Sequence, residues 1–342
     1  MGENLNIYIP SFNRPEQCLE TLRQLISQIG NNENIRITVL DNCSVVNYKE
    51  YFLKTNDVSK FIQDGFLNVI RNNLNIGMSA NIMRCFEYSS IKKGWLWILS
   101  DDDDIKENAI EIIKESILQT SKDVGFIKYS SNRLRHQNGF LIDSPKKLIE
   151  FISVNPKIRF NSYIFLTNLV YRINSFKEAV SDSNDFNLTH VPHFILLNLA
   201  VKKNSYIKHN DNQLATYKRP KIGYSYGLFA GIQVGSIKPL VIDEVSLRDF
   251  HYVFQVHNDV KVAIDLYYEL LSKNSIKKLG TYLYIYLSNL IFAKCYFRSI
   301  LFVPISIVII TKPLREIFIS TLSRSKYSSE IKEIKKRYNI KN

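Results

Sequence analysis

The sequence has few cysteines and no long apolar run. Its four cysteines, Cys18, Cys43, Cys85 and Cys295, show no CxxC or CxxH spacing. Neither a zinc site nor a disulfide framework is therefore expected, and a reducing compartment fits best. Residues 299–311 form a run of thirteen uncharged residues, whereas a membrane-spanning helix needs about twenty. No basic and apolar leader precedes the first strand, so we expect a cytoplasmic location.

The sequence also lacks the motifs of nucleic-acid-binding proteins, although it is basic. It carries 45 Lys and Arg against 32 Asp and Glu, a net charge of +13, and positive charge attracts the phosphates of nucleic acid or of anionic lipid. No RNP, KH or helix-turn-helix signature is present. The four consecutive carboxylates at 101–104 would repel a nucleic-acid backbone. Nucleic-acid binding is thus a remote alternative, and we expect no nucleic-acid partner.

The positive charge is concentrated at the C-terminal end. Residues 270–342 contain fourteen Lys or Arg and three Glu. Within them, the apolar segment 299–311 is flanked by Arg298 and Lys312, a pattern that can lie in a membrane interface beside anionic headgroups. We predict that residues 270–342 attach to an anionic membrane surface. The alternative is a buried pair of helices followed by a solvated basic tail.

The first hundred residues alternate between strands and helices. Apolar strands are predicted at 6–10, 35–40, 67–71 and from Gly94 onward, and helices at 15–29, 48–54 and 79–89. Further on, we predict a helix at 107–120, strands at 124–130 and 163–171, and an apolar helix at 194–201. Because alternating strands and helices form right-handed crossovers, the pattern predicts an α/β fold with a mostly parallel central sheet.

The segment from Gly94 to Ile105 carries the clearest functional signal. Its first half is an apolar run of strand length, and its second half is four carboxylates, Asp101, Asp102, Asp103 and Asp104. Carboxylates cannot enter an apolar core without a partner that neutralises them. Oxygen ligands of this kind suit Mg²⁺ or Mn²⁺, usually together with substrate phosphates. The plainer alternative is a solvated acidic turn that caps the next helix.

Polar residues follow every strand of the first half. Asp41 ends the second strand, Asn75 follows the third, and the acidic run follows the fourth. In an open parallel sheet these strand ends meet at one edge, where ligands bind. Any one of these turns would mean little, because Asn, Asp and Ser are common turn formers. Together they predict a ligand cleft at the carboxyl edge of the sheet.

Four segments resemble the family 2 glycosyltransferases, which transfer sugars from nucleotide-sugar donors. They are residues 7–15 (IYIPSFNRP), 41–44 (DNCS), 72–77 (NNLNIG) followed by Asn81, and 95–103 (WLWILSDDD). The resemblance covers roughly residues 5–220 and is strongest for bacterial O-antigen side-chain transferases such as abequosyltransferase. It implies the Rossmann-like A-type glycosyltransferase fold, followed here by a helical C-terminal region.

The resemblance also implies roles for individual residues. Pro10, Ser11 and Asn13 would line the nucleotide pocket, which Arg14 approaches. Asp41 would hydrogen-bond the base, and Asn75 and Gly77 would shape the pocket floor. The fourth aspartate leaves the register of the metal motif open. We favour Asp101 and Asp103 as ligands of Mn²⁺ or Mg²⁺, with Asp102 reaching the ribose or the metal, and Asp104 as a ligand in the alternative register.

The acceptor side departs from the family pattern. Many members have an aspartate at the start of a helix as the general base, but His193 occupies that place here. A neutral imidazole is a competent base near neutral pH. The alternatives are His193 as a metal ligand or as a structural histidine, and Asp185 or His190 as the base.

The resulting hypothesis is a metal-dependent, inverting glycosyltransferase. Residues 1–230 would form the catalytic domain, with a nucleotide-sugar half at 1–105 and an acceptor half at 106–230, before a basic helical region at 231–342. The resemblance implies a glycan acceptor linked to polyprenyl diphosphate at the inner face of the plasma membrane, and it leaves a homo-oligomer open. A sugar nucleotidyltransferase is the nearest alternative, but the Gly-rich basic loop that such enzymes carry after the first strand is replaced by PSFNR.

Overall fold

A computed structural model describes residues 3–30, 32–132, 134–184 and 192–216, together with the single positions 317 and 320. All elements below belong to the first of the two units into which the chain divides, Met1–Ile222. The predictions for Asp185 and His190 and for the basic region 231–342 lie outside the described residues. The boundary of the catalytic domain at residue 230 therefore stays a prediction.

The first half of the unit has the predicted alternation. Its elements are β1 (Leu5–Ser11), α1 (Pro15–Ile29), β2 (Ile35–Asp41), α2 (Tyr48–Leu53), α3 (Asn56–Gln63), β3 (Leu67–Arg71), α4 (Met78–Ser90) and β4 (Trp95–Ile98). Pro15 occupies the first turn of α1, where its missing N–H is harmless, and Gly30 ends the helix. α3 was not predicted. It follows α2 after a break of two residues, and one residue in it, Val58, is buried.

The second half is less regular. Its elements are β5 (Asp104–Ile105), α5 (Ala109–Leu118), β6 (Val124–Ser130), β7 (Leu141–Ile142), α6 (Pro145–Ser153), α7 (Pro156–Ile164), a 3₁₀ turn (Leu166–Asn168), β8 (Leu169–Arg172), α8 (Ile173–Phe176), α9 (Ala179–Asn184), α10 (Pro192–Lys202), β9 (Tyr206–Gln213) and β10 (Ala215–Thr216).

The predicted strand at 163–171 is wrong in its first part. α7 extends through Ile164, the 3₁₀ turn follows, and the strand begins only at Leu169. Pro156 at the first helical position and the Asn155 side chain, which accepts the Ile158 N–H, begin α7. Apolar runs of this length fit a strand and a buried helix equally well by periodicity, which explains the error.

Eight strands form one sheet in the order β3-β2-β1-β4-β8-β6-β9-β7. β1 pairs in parallel with β2 and β4, β2 with β3, and β6 with β9, whereas β8 runs antiparallel to both β4 and β6. The sheet is therefore mostly parallel, as predicted. β4, β6 and β9 point the same way, so their carboxyl ends lie at one edge together with those of β1, β2 and β3.

The core holds the acidic strand in place. Trp95, Leu96, Trp97 and Ile98 of β4 are completely buried, and the ring of Trp95 also lies under the Arg172 guanidinium at 4.5 Å. Large buried aromatic side chains contribute strongly to core stability.

Among the described helices, none is long and apolar enough to cross a membrane.

Candidate active site

Asp101 is the first of the four aspartates that follow β4. It is completely buried and is held by two side chains. Its Oδ2 accepts a hydrogen bond from the Ser11 hydroxyl at the end of β1. Its Oδ1 forms an ion pair with Arg14 Nη2 at 2.6 Å. Because β1 and β4 are neighbouring parallel strands, Ser11 at the end of β1 and Arg14 in the turn after it both reach Asp101. The structure thus brings three predicted site residues together.

Asp102 shares the same guanidinium. Its Oδ2 lies 2.5 Å from Arg14 Nη1, and its Oδ1 accepts the Ser100 hydroxyl at 2.6 Å. Arg14 therefore bridges two successive carboxylates, a charge-assisted arrangement stronger than neutral hydrogen bonds. Arg14 was predicted to approach the nucleotide pocket, and its side chain forms ion pairs with Asp101 and Asp102.

Asp103 is the third carboxylate of the acidic loop (residues 100–103), and it is held by a different element. It is buried, and its Oδ2 accepts a hydrogen bond from the Thr167 hydroxyl in the 3₁₀ turn. The Thr167 Oγ1 in turn accepts the Ser100 N–H at 3.1 Å. Asp104 lies in β5 and pairs with Thr216 of β10, so the fourth acid belongs to a separate backbone ladder.

Among the described residues, three carboxylates of the acidic loop lie near the Arg14 guanidinium, which forms ion pairs with two of them. Burial raises the pKa of Asp101 to about 6 and that of Asp103 to about 7. For Asp101 the ion pair with Arg14, and for Asp103 the hydrogen bond from Thr167, only partly offset this rise. Buried carboxylates of this kind are stabilised in the charged form by a cation.

The donor chemistry fits a hard divalent cation. Carboxylate oxygens are the ligands that Mg²⁺ and Mn²⁺ prefer, and one or two of them suffice when substrate phosphates complete the shell. Among the described residues, no group of three or more His, Cys, Asp or Glu side chains is arranged to hold a metal alone.

Tyr48 connects the start of α2 to the end of β1 and the turn after it, and no sequence motif pointed to this role. Its hydroxyl is 2.8 Å from Ser11 Oγ and accepts the Arg14 backbone N–H at 2.7 Å. Tyr48 is completely buried at the start of α2. It was predicted only as a helix residue, because the contacts span more than thirty positions of sequence. A buried tyrosine needs a polar partner, which is the one available hint.

Asp41 is buried at the end of β2 and is fully engaged by the protein. Its Oδ1 accepts the Ser44 N–H at 2.8 Å, and its Oδ2 pairs with Arg71 Nη1 at 2.6 Å. Arg71 Nη2 also donates to the Ser44 carbonyl at 2.7 Å. Asp41 thus anchors the turn after β2. A nucleobase bound to the Asp41 carboxylate would lie beside the Arg71 guanidinium, which contacts the same carboxylate.

A network of asparagine side chains connects the turns after β2 and β3. Asn42 Nδ2 donates to Asn75 Oδ1 at 2.8 Å and to the Gly77 carbonyl at 3.3 Å. Asn42 Oδ1 accepts from Asn72 Nδ2 at 2.9 Å, and Asn72 Nδ2 also donates to Asn81 Oδ1 at 2.9 Å. The predicted residues Asn75 and Gly77 therefore lie together, organised by Asn42, which is buried and which the prediction gave no role.

The remaining donor-side residues connect these two groups. Pro10 lies within β1. Asn13 has a positive φ of 55° and is exposed; its N–H donates to Ser44 Oγ at 2.8 Å, and its Oδ1 accepts the Val45 N–H at 2.9 Å. Short polar side chains such as asparagine tolerate this left-handed conformation. The turns after β1 and β2 are thus tied together beside the acidic loop.

His193 is buried in the first turn of α10. Its ring Nε2 donates to the Ile164 carbonyl at 3.2 Å, whereas no partner for Nδ1 was found among the described residues. Burial lowers the pKa of His193 to about 3. The neutral ring is therefore the stable form, and the described contacts do not link it to the acidic loop.

A second buried cluster lies beside β6 and β9, and the prediction assigned it no function. The His136 and His209 rings are 4.2 Å apart, and the Tyr163 hydroxyl is 2.6 Å from His209 Nε2. Lys128, which pairs with His209 across the sheet, is completely buried and donates from Nζ to the Asn168 carbonyl at 3.1 Å. Burial lowers the pKa of Lys128 to about 7.

A comparison with protein families identifies the first part of the chain. Residues 6–169 match the family model described as Glycosyl transferase family 2. The chain carries a family 2 glycosyltransferase domain. The resemblance inferred from the four sequence segments is thereby confirmed at family level, and the closer likeness to abequosyltransferase stays a prediction. No curated protein sequence matches the chain significantly.

Two solved structures share the fold of the glycosyltransferase domain. A crystal structure of S. aureus TarS is 14% identical, with a TM-score of 0.52 over 85% of this chain and 80% of that one. The mannosyltransferase PcManGT from Pyrobaculum calidifontis, in complex with GDP-Man and Mn²⁺, is 10% identical, with a TM-score of 0.51 over 90% of this chain and 87% of that one. At these identities the likeness concerns the fold alone.

The family match covers the acidic loop, Asp41, Asn75, Gly77 and Thr167 and ends before His193. The candidates for the general base, His193 and Asp185, lie outside the matched segment.

Proposed function

We propose that this glycosyltransferase transfers a sugar from a nucleoside-diphosphate sugar in a metal-dependent reaction. The observation that supports this most is the acidic loop at the ligand edge of the sheet. Asp101 and Asp102 pair there with the Arg14 guanidinium, and the buried Asp103 accepts a hydrogen bond from the Thr167 hydroxyl. Buried carboxylates at this edge favour a divalent cation together with a diphosphate. The PcManGT complex contains such a pair, GDP-Man and Mn²⁺.

Each group in the loop then has a task. Asp101 and Asp103 would hold Mn²⁺ or Mg²⁺, with Asp102 beside the ribose or the metal, and Asp104 in the alternative register. A bound cation supplies positive charge against the negative charge that develops on the departing nucleoside diphosphate. Arg14, already on the acids, adds a fixed positive charge within the same loop.

The turns after β1, β2 and β3 would receive the nucleoside. Asp41, with Arg71 beside it, is proposed to contact the base, and the Asn42 network fixes Asn75 and Gly77 below it. Pro10, Ser11 and Asn13 complete the wall. Hydrogen bonds of these turns to one another set the pocket before a ligand arrives, so little ordering cost remains for binding.

On the acceptor side, the reaction requires a base that takes the proton of the attacking hydroxyl. A direct displacement inverts the anomeric centre, and inversion is part of the proposal. His193 and Asp185 are the candidates; His193 has the neutral ring that a base needs, but its low pKa makes it a weak one. We therefore propose that His193 acts only if substrate binding changes its buried surroundings, and that Asp185 is otherwise the base.

The acceptor is proposed to be a glycan on a polyprenyl diphosphate, as in O-antigen or other surface polysaccharide assembly. Support comes from the basic composition of residues 270–342, fourteen Lys or Arg against three Glu, which suits attachment to an anionic membrane surface. A peripheral position at the inner face of the plasma membrane follows from the same proposal.

A thermal-shift panel tests the donor half of the proposal. UDP, CDP, GDP and dTDP are each added with and without Mn²⁺ to the wild type, to an Asp101→Asn, Asp103→Asn double variant, and to an Asp64→Asn, Asp123→Asn control with two exposed carboxylates replaced. A ligand that binds only the folded state raises Tm. We expect one nucleotide to raise Tm with Mn²⁺ in the wild type and the control, but not in the double variant.

Two results of that panel would contradict the proposal. Equal increases in Tm with and without Mn²⁺ would show that nucleotide binding does not require the metal. An equal shift in the Asp101, Asp103 double variant would place the nucleotide away from the acidic loop.

A further inference from the structure

The 3₁₀ turn Leu166–Asn168 connects the acidic loop to the second half of the sheet. It leads into β8, which lies between β4 and β6 and runs antiparallel to both. The start of β8 therefore meets the carboxyl ends of its two neighbours, beside the acids that follow β4. Thr167 and Asn168 are both completely buried at this point.

Thr167 makes three hydrogen bonds to the strand end that carries the acids. Its hydroxyl accepts the Ser100 N–H at 3.1 Å and donates to Asp103 Oδ2. Its carbonyl accepts the Trp97 Nε1–H at 2.6 Å. Because the backbone amide of Ser100 supplies the proton to Oγ1, the single hydroxyl proton is left for Asp103. The direction of the hydroxyl is thus fixed by the backbone.

The neighbouring residue anchors the turn from the opposite side. The Asn168 carbonyl accepts from Lys128 Nζ at 3.1 Å, and Asn168 Oδ1 accepts the Ala215 N–H at 3.2 Å. Ala215 pairs with Ile105 in the ladder of β5 and β10, directly after the acidic loop. The turn therefore contacts the acidic loop at Ser100 and Asp103, and it contacts β10, the strand that pairs with β5.

We propose that Thr167 is a positioning residue for the metal-binding carboxylate of Asp103. Binding one carboxylate oxygen fixes the plane of the group and hence the direction in which the other oxygen points. An aspartate on a loop could otherwise rotate, at a cost in cation affinity. This inference depends on the proposed metal-dependent function, in which Asp103 holds the cation.

The test compares Mn²⁺ binding by full-length variants. Thr167→Val keeps the shape and removes the hydroxyl, Thr167→Ser keeps the hydroxyl, and Thr38→Val removes a buried hydroxyl that contacts Tyr8. Free Mn²⁺ is measured by electron paramagnetic resonance in the presence of the nucleoside diphosphate that stabilises the wild type. Loss of a hydrogen-bond partner behind a metal ligand typically weakens metal affinity 10–100-fold.

We expect Thr167→Val to raise the Mn²⁺ Kd by at least about tenfold, with Thr167→Ser and Thr38→Val within about threefold of the wild type. If Thr167→Val binds as the wild type does, or if Thr167→Ser loses as much as Thr167→Val, the hydroxyl does not position Asp103. Should Thr167→Val fail to fold, Thr167→Cys, a weak donor of similar size, replaces it under the same criteria. A wild type that binds no Mn²⁺ with any nucleotide would instead contradict the proposed function.

Discussion

At the scale of single residues, the Tyr48 hydroxyl connects the groups that hold Asp101. It contacts both Ser11 and the Arg14 backbone, which are the partners of Asp101. Burial raises the pKa of Tyr48 to about 12, so the hydroxyl stays protonated throughout the physiological range. One buried side chain from α2 thus supports the turn after β1.

Replacing Tyr48 by phenylalanine tests this support. The change leaves the Arg14 N–H and the Ser11 hydroxyl with one partner fewer, and such losses cost about 1–3 kcal/mol. We expect the urea midpoint of Tyr48→Phe to fall accordingly. Tyr51→Phe, a partly buried position on the same helix, is the control and should change stability by less than about 0.5 kcal/mol. Equal losses in both variants would contradict the role given to Tyr48.

Residues of the cleft differ in how well the sequence reveals them. The acids at 101–104 are predictable, because four carboxylates after an apolar strand must leave the core. Their partners are not: Arg14 lies 88 positions from Asp102, and Arg71 lies 30 from Asp41. Only the sheet, which places β1 beside β4 and β2 beside β3, brings such pairs together.

At the scale of elements, the start of β4 depends on a glycine. Gly94 has a φ of 92°, and a Cβ placed on it would lie 2.2 Å from the Asn4 carbonyl oxygen. That carbonyl accepts the Trp95 N–H at 2.8 Å, the first link between β4 and the chain entering β1. Both the backbone conformation and the close approach therefore require glycine.

The variants Gly94→Ala and Gly65→Ala separate these two requirements. Gly65 also has a positive φ, 74°, but a Cβ there would meet nothing within 4 Å. Gly65→Ala should cost about 1–2 kcal/mol from the backbone alone, and Gly94→Ala about 1–3 kcal/mol more from the clash. Urea denaturation of both variants measures the difference. Equal losses would show that the contact with Asn4 relaxes freely.

The elements predicted best are those with local signals. Proline at the first turn and glycine at the end defined α1 to the residue, and the four parallel strands of the first half were confirmed. The insertion of antiparallel β8 between β4 and β6 could not be foreseen, because strand order is set by distant pairings. β9, with the polar sequence YIKHNDNQ, has no apolar run to reveal it.

At the scale of the whole molecule, three buried histidines are neutral in the folded chain. Burial lowers the pKa of His136 to about 2 and those of His193 and His209 to about 3. Lys128 and Arg159 lie near the His136 and His209 pair and lower both pKa values further. The unfolded chain, with ordinary histidines, therefore binds more protons below pH 6.5 than the folded one.

Stability should accordingly be lost as the pH falls below about 6.5, since each depressed histidine favours folding only when neutral. The raised pKa values of Asp101 and Asp103 act in the opposite direction, so a difference between variants is the cleaner measure. Between pH 7.5 and 5.5, we expect His136→Phe to lose about 1 kcal/mol less than the wild type. Parallel urea midpoints for both proteins across this range would contradict the assignment.

Anomalous diffraction from crystals soaked with Mn²⁺ and the nucleoside diphosphate that gives the largest thermal shift tests whether the acidic loop binds the metal. We predict one Mn²⁺ peak at the carboxyl edge of the sheet, beside the carboxylates of Asp101 and Asp103 and next to the bound diphosphate. A diphosphate that binds at this edge without Mn²⁺, or a Mn²⁺ peak away from the acidic loop, would contradict it.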